Sequence, residues 1–157
     1  MRPTAVAGFT LIELILVLVL TGALAVVALP AFFDRAGFGE YAIESDLVAA
    51  ARFAQKTAVA SGCDVQFAVS ATGYRLSYRA GGSDTSCGNG AFSVAVTDPQ
   101  GRAYAGTVPD GVTVSSLNRY FDALGRVRAA DGSESGGTIS VGTRTITLTG
   151  GTGYVQR

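Results

Sequence analysis

The chain has 157 residues, with twelve basic and twelve acidic side chains and no histidine, and its length sets a prior of one domain. Zero net charge argues against generic nucleic-acid or other polyanion binding, which needs clustered Lys and Arg; Arg outnumbers Lys eleven to one, so basic recognition has to be local and arginine-based. Lack of His removes the commonest general base, the Ser-His-Asp triad and nearly all zinc sites, and two Cys cannot complete a metal site.

Charged residues make up 15%, below the usual quarter, and the shortfall is concentrated near the N-terminus. Residues 14–33 carry no charge, and extending back to Phe9 adds only Glu13. As a helix, residues 9–33 would run about 37 Å at ~1.5 Å per residue, enough to span a bilayer core of about 30 Å. The other reading is a buried core helix, but no other segment here could sheathe so long an apolar rod. Pro30 removes a helical hydrogen bond and predicts a kink. With Gly37 and Gly39 it predicts a bend or local melting between residues 30 and 39; alternatively the spanning helix ends there.

Residues 41–61 read as an amphipathic helix. Ile43, Leu47, Ala51, Ala54 and Ala58 recur at spacings of three and four, and Gly62 supplies a stop. From Cys63 the period changes to two. Val65, Phe67 and Val69 form one run, Tyr74, Leu76 and Tyr78 a second, and Phe92, Val94 and Val96 a third. Ala71-Thr72-Gly73 separates the first two like a hairpin loop, and Asp98-Pro99-Gln100-Gly101 is a turn signal. Val112 and Val114 start a short strand. Ile139 and Val141 face Ile146 and Leu148 across Gly142-Thr143 as a closing hairpin. Seventeen of the 21 glycines follow residue 61, where the turns must be, and residues 81–90 and 131–137 read as mobile loops. The fold class is α+β: a long N-terminal helix, apolar then amphipathic, packed on a small antiparallel sheet.

An apolar N-terminal segment has three explanations. It can be a removable secretory signal, with Ala23-Leu24-Ala25 as a small-x-small site, a plain anchor, or something that uses Glu13. A carboxylate at the centre of a spanning helix costs roughly 2.5–3.5 kcal/mol, less near its end. A lone first-turn acid is explained by the helix dipole. Glu13 is not alone. Gly8-Phe9-Thr10-Leu11-Ile12-Glu13-Leu14 resembles the cleavage and methylation motif of type IV prepilins and type II secretion pseudopilins, and the likeness runs on to Pro30.

That resemblance implies cleavage between Gly8 and Phe9 by a prepilin peptidase and N-methylation of Phe9. It implies assembly with other pilins through Glu13, on an inner-membrane platform, with no cofactor. It divides the chain into a leader (1–8), a transmembrane and assembly helix (9–33), an amphipathic second half of that helix (34–61) and a periplasmic β domain (62–157). The protein would sit in a bacterial inner membrane as a single-pass chain and then in a pilus or pseudopilus.

Four further stretches resemble minor pilins of the mannose-sensitive haemagglutinin pilus, and more broadly the GspH/FimT group. They are Phe32-Phe33-Asp34-Arg35, Ala51-Arg52-Phe53-Ala54-Gln55-Lys56, Ser61-Gly62-Cys63 and Tyr120-Phe121-Asp122-Ala123-Leu124-Gly125-Arg126. Gly137-Thr138-Ile139 and the terminal hairpin also look like that group. In an oxidising periplasm Cys63 and Cys87 are expected to pair, worth about 3 kcal/mol; two unpaired thiols are the alternative.

Arg119, Arg126 and Arg128, with Tyr120 and Phe121, offer an arginine-aromatic grip on nucleic acid, as in a DNA-binding pilus-tip subunit. The alternative is a solvated turn whose arginines pair with Asp122 and Asp131. Asp131-Gly132-Ser133-Glu134 lacks the oxygens of a calcium loop and reads as a turn. Ser and Thr have no accompanying base, so the chain is expected to be the substrate of an enzyme and not itself one.

Overall fold

The computed structural model describes residues 10–32 and 35–157. Two compact units emerge, Met1–Arg35 and Ala36–Arg157. The first holds α1 (Leu11–Phe32). Thr10 caps it: its Oγ1 accepts from the Glu13 N–H at 3.3 Å, and its carbonyl accepts from the Leu14 N–H at 3.2 Å. Thr21 turns its hydroxyl back onto the Val17 carbonyl at 2.8 Å, so no polar group on the helix is left wanting there. The large apolar side chains described in α1 are all exposed, from 46% at Ile15 to 76% at Leu11.

Among residues whose side chains are described, which in α1 run to Val26, no helix is long and apolar enough to cross a membrane. The span expected over residues 9–33 begins at Phe9 and ends at Phe33, and both lie outside the described residues, with the leader. Pro30 lies within α1. Gly37 and Gly39 are helical residues of the next element; the bend or melting expected between residues 30 and 39 falls on Phe33 and Asp34, which are outside the described residues.

The second unit is α+β. It comprises α2 (Arg35–Ser61) and nine strands: β1 (Val65–Ser70), β2 (Gly73–Arg79), β3 (Phe92–Ala95), β4 (Ala105–Thr107), β5 (Leu117–Phe121), β6 (Val127–Arg128), β7 (Gly137–Val141), β8 (Arg144–Leu148) and β9 (Val155–Gln156). Every pairing is antiparallel. There are two sheets. The larger runs β3-β2-β1-β5-β6, with β4 also on β2; the smaller runs β7-β8-β9.

Period two explains the register. Val65, Phe67 and Val69 of β1 face Tyr78, Leu76 and Tyr74 of β2, and the hairpin closes at Ser70 and Gly73. Ile139 pairs with Ile146, and Gly142-Thr143 closes that hairpin between Val141 and Arg144. The stripe on α2 meets both sheets. Ile43, Leu47, Ala51, Ala54 and Ala58 are buried in one core with Phe67, Leu76 and Phe121 from the larger sheet and Ile139, Ile146 and Leu148 from the smaller. Phe53 stacks on Tyr104 at 4.4 Å, fastening α2 to the segment before β4. The helix and strands of residues 36–157 therefore form one unit, with α2 belonging to it.

Some expectations fail. Val112 and Val114 are buried but form no strand; Val114 makes a single bridge to Val141. In β3 the inward alternation breaks. Val94 is exposed and Phe92 half-buried, because the register with β2 shifts between Tyr78 and Arg79. Residues 81–90 and 131–136 lie between strands as the expected loops, with hydrogen-bonded turns in them: Ser83 N–H bonds Ser86 O at 2.7 Å, and Gly132 N–H bonds Ala129 O at 2.9 Å.

Cys63 and Cys87, 24 positions apart in sequence, form a disulfide with Cα atoms 5.1 Å apart. It ties the end of α2 to the loop before β3. Reducing it, or the double change Cys63→Ser/Cys87→Ser, is expected to lower unfolding free energy by about 3 kcal/mol. Urea unfolding of the full chain with and without reductant measures this, and coincident curves would refute a stabilising role.

Candidate functional site

Glu13 is the third residue of α1. Thr10-x-x-Glu13 has the spacing of a capping box, a signal present in the sequence that the motif reading passed over. The Thr10 half is made, through the Glu13 N–H. The Glu13 side chain is exposed and makes no hydrogen bond or ion pair among the described residues. It keeps its acid at the end of the helix dipole where negative charge is favoured. Gly8 and Phe9, the expected cleavage and methylation positions, lie outside the described residues.

The arginine-bearing segment is built on a turn. β5 and β6 pair through Tyr120 with Arg128 and Phe121 with Val127. Between them Asp122 N–H bonds Arg126 O at 3.0 Å, and Gly125 N–H bonds Asp122 O at 2.8 Å. This is a three-residue hairpin loop whose last position must be left-handed, and Gly125 takes φ +76° there. The Asp122 Oδ1 accepts from the Leu124 and Arg126 N–H groups, each at 3.0 Å. Its Oδ2 accepts from Arg126 Nε at 2.9 Å and Arg128 Nε at 3.0 Å. Burial alone would raise the Asp122 carboxyl, but these bonds outweigh it and hold the group below the usual carboxylate range.

The same device occurs at Asp98-Pro99-Gln100-Gly101-Arg102. There Asp98 accepts from the Gln100 and Arg102 N–H groups and from Arg102 Nε, all at 2.9 Å, and Gly101 has φ +79°. Asp131 differs. It accepts from Ser133 N–H at 2.9 Å and Ser133 Oγ at 2.7 Å, and pairs with no arginine.

The three arginines singled out by sequence are thus not brought together. Arg126 and Arg128 share one carboxylate, as the solvated-turn reading expects for Asp122. Arg119 donates to the Gly136 carbonyl at 3.0 Å and the Asn118 carbonyl at 2.8 Å. Two of the family-like stretches do meet. Gln55 Nε2, from α2, donates to Gly125 O at 2.9 Å and to Thr152 O at 3.0 Å, so one amide holds a loop from each sheet against the helix.

Tyr74 is pushed up to about 12 by burial first, then by the Asp46 carboxylate and Tyr104, so it stays protonated as packing. Among the described residues no group of three or more His, Cys, Asp or Glu side chains is placed to hold a metal. Comparison of the chain with protein-family models, curated proteins and solved structures finds no match.

Asp122→Asn keeps an oxygen for the N–H donors and loses the charge for both guanidinium groups. It is expected to cost about 1–3 kcal/mol at neutral pH. A depressed native carboxyl contributes stability above the unfolded value of about 3.9 and loses it as pH falls through the native value. Urea midpoints of the two proteins should therefore converge below about pH 4; a constant gap across pH would show that the charge is not what holds the turn.

Proposed function

We propose that the chain is the precursor of a minor pilin or pseudopilin. It is cut between Gly8 and Phe9, N-methylated at Phe9, and assembled through its N-terminal helix into a type IV pilus or a type II secretion pseudopilus. One observation carries this: Gly8-Phe9-Thr10-Leu11-Ile12-Glu13-Leu14 abuts a run without charge over residues 14–33. A signal core or passive anchor gains only the small helix-dipole term from such an acid, which does not account for the whole motif around it.

Three features support the reading. Thr10 starts a helix directly after the cleavage position. The large apolar side chains described in α1, from Leu11 to Val26, are exposed, as those of an assembly helix would be before they meet lipid or sister helices. Downstream, α2 lies on antiparallel sheet, as the resemblance implies. The partners on this reading are a prepilin peptidase, sister pilins, an inner-membrane platform and the bilayer. A tip receptor for DNA gains nothing from Arg126 and Arg128, since Asp122 holds both.

The chemistry of assembly follows from the cut. Removing residues 1–8 frees the Phe9 amine while leaving the apolar helix in place. In a bundle of such helices the Glu13 carboxylate of one subunit meets the Phe9 amine of its neighbour. Two charges at about 4 Å attract by about 4 kcal/mol at an effective dielectric near 20, and desolvation takes much of this back. The pair accordingly sets axial register more than it adds strength.

N-terminal sequencing and mass spectrometry of protein made with a prepilin peptidase should find a chain beginning at methylated Phe9. A chain beginning at Val26 would support a conventional secretory signal instead. Glu13→Gln keeps a capping-box residue but no charge, and Glu13→Val keeps neither. Both are expected to be cleaved yet absent from sheared filaments. Wild-type incorporation of Glu13→Gln would defeat the charge-register mechanism while leaving the cleavage result standing.

A further inference from the structure

The face of the larger sheet opposite Phe67 and Leu76 carries a cleft that neither the core nor the filament reading uses. Register builds it. Arg75 of β2, Ala68 of β1 and Asn118 of β5 lie in one row; Ser77, Gln66 and Tyr120 lie in the next. Alternation turns these rows away from the core. A cleft of ≈ 310 Å³ opens there, with Arg75 and Arg79 on this face; Arg119 borders it from the row that pairs with Phe67. Asp64 neutralises Arg79, so the positive charge left over on this face is that of Arg75.

The three arginines differ in what they already hold. Arg79 Nε donates to Asp64 at 2.9 Å, and its guanidinium lies over the rings of Phe92 and Tyr120, 4.3 and 5.2 Å from their centroids. Arg119 serves the two carbonyls already named. Arg75 is exposed and makes no ion pair or hydrogen bond among the described residues. Beside it Gln66 Nε2 donates to Asn118 Oδ1 at 2.8 Å. That bond leaves the Asn118 amide hydrogens and the Gln66 oxygen to meet a ligand.

Arg75 also lines two adjoining clefts of ≈ 360 and ≈ 340 Å³, so the depression continues along the sheet and suits a polymer. A nucleic-acid strand needs open ring faces for its bases. Here Arg79 covers the rings, and Tyr120 is only 8% exposed. A guanidinium fork beside free amides fits a carboxylate flanked by hydroxyls.

We propose that this arginine-lined groove binds a carboxylate-bearing polysaccharide, with Arg75 taking a uronate carboxylate and the Gln66–Asn118 amide pair taking adjoining hydroxyls. The inference is independent of how the N-terminal helix is used.

Biolayer interferometry of the full chain in detergent, on immobilised polygalacturonate, tests it. Binding should be saturable, weaken with added salt, and vanish on carboxyl-reduced polymer. Arg75→Gln should weaken it about tenfold, the loss of one charge-assisted two-pronged contact. Arg75 has no bond to lose on folding, so its circular dichroism melt should match wild type. Arg157→Gln, at the chain end where Arg157 reaches only Ser45 Oγ, should leave binding unchanged. No binding by wild type, equal binding to the reduced polymer, an unaffected Arg75→Gln, an equal loss in Arg157→Gln, or tighter binding to oligo(dT) would each overturn the proposal.

Discussion

The buried face of α2 is shared by two sheets, and the second unit depends on that sharing. A three-stranded sheet such as β7-β8-β9 cannot cover its apolar side alone. Ile139, Ile146 and Leu148 instead join the core that Phe67, Leu76 and Phe121 bring from the larger sheet, with Ile43, Leu47 and the alanines of α2 between them. At about 25 cal/mol per Å² of apolar surface, this burial is the main term that offsets chain entropy in a unit of this size. Gln55 adds direction to a force that has none. Its two bonds fix the β5–β6 turn and the segment before β9 at one height on the helix.

Charge in this protein is spent on turns. Asp98 and Asp122 each begin a three-residue loop, gather the loop's N–H groups on one oxygen, and hold an arginine on the other. Glycine supplies the left-handed position and the aspartate satisfies the donors that the tight turn leaves unpaired. The arrangement engages Arg102, Arg126 and Arg128. It also separates Arg75, which no turn has claimed, from Arg126 and Arg128, which one has.

Much of this was legible before any coordinates. The two hairpins announced themselves because clean alternation met a two-residue loop. The stripe on α2 and the disulfide were equally open. β5 was not. Arg119 falls between Leu117 and Phe121 in the inward register, so the strand shows no alternation, although all of it pairs with β1, the central strand. Tertiary packing overrode the local pattern, with Arg119 satisfied on the Gly136 carbonyl instead of in water. β4 has only Ala105, Gly106 and Thr107, too little side chain to carry a period; Gly106 is there because the Tyr74 ring lies where a Cβ would go. The cleft at Arg75 was hidden for another reason. Arg75 and Asn118 are far apart in the chain, and only the shared pairing of β2 and β5 with Ala68 of β1 puts them in one row.

The two units pose opposite problems. Residues 36–157 close their own core, whereas the apolar side chains of α1 stand exposed. On the filament reading that exposed surface is a free-energy cost settled by lipid or by other helices. Lipid settles it without regard to position, because one apolar helix is as well solvated at one depth or rotation as at a neighbouring one. Helices brought together in lipid likewise gain little from apolar contact alone, and packing or polar pairing has to choose their register. A filament needs a repeated axial step, so some group on the helix must prefer one offset over the next. Glu13 is the single charged side chain in residues 9–33, and in α1 its carboxylate is unengaged among the described residues. On the filament reading, register by charge pairing therefore falls on one carboxylate, and packing at small residues such as Gly22 is the other source of axial preference.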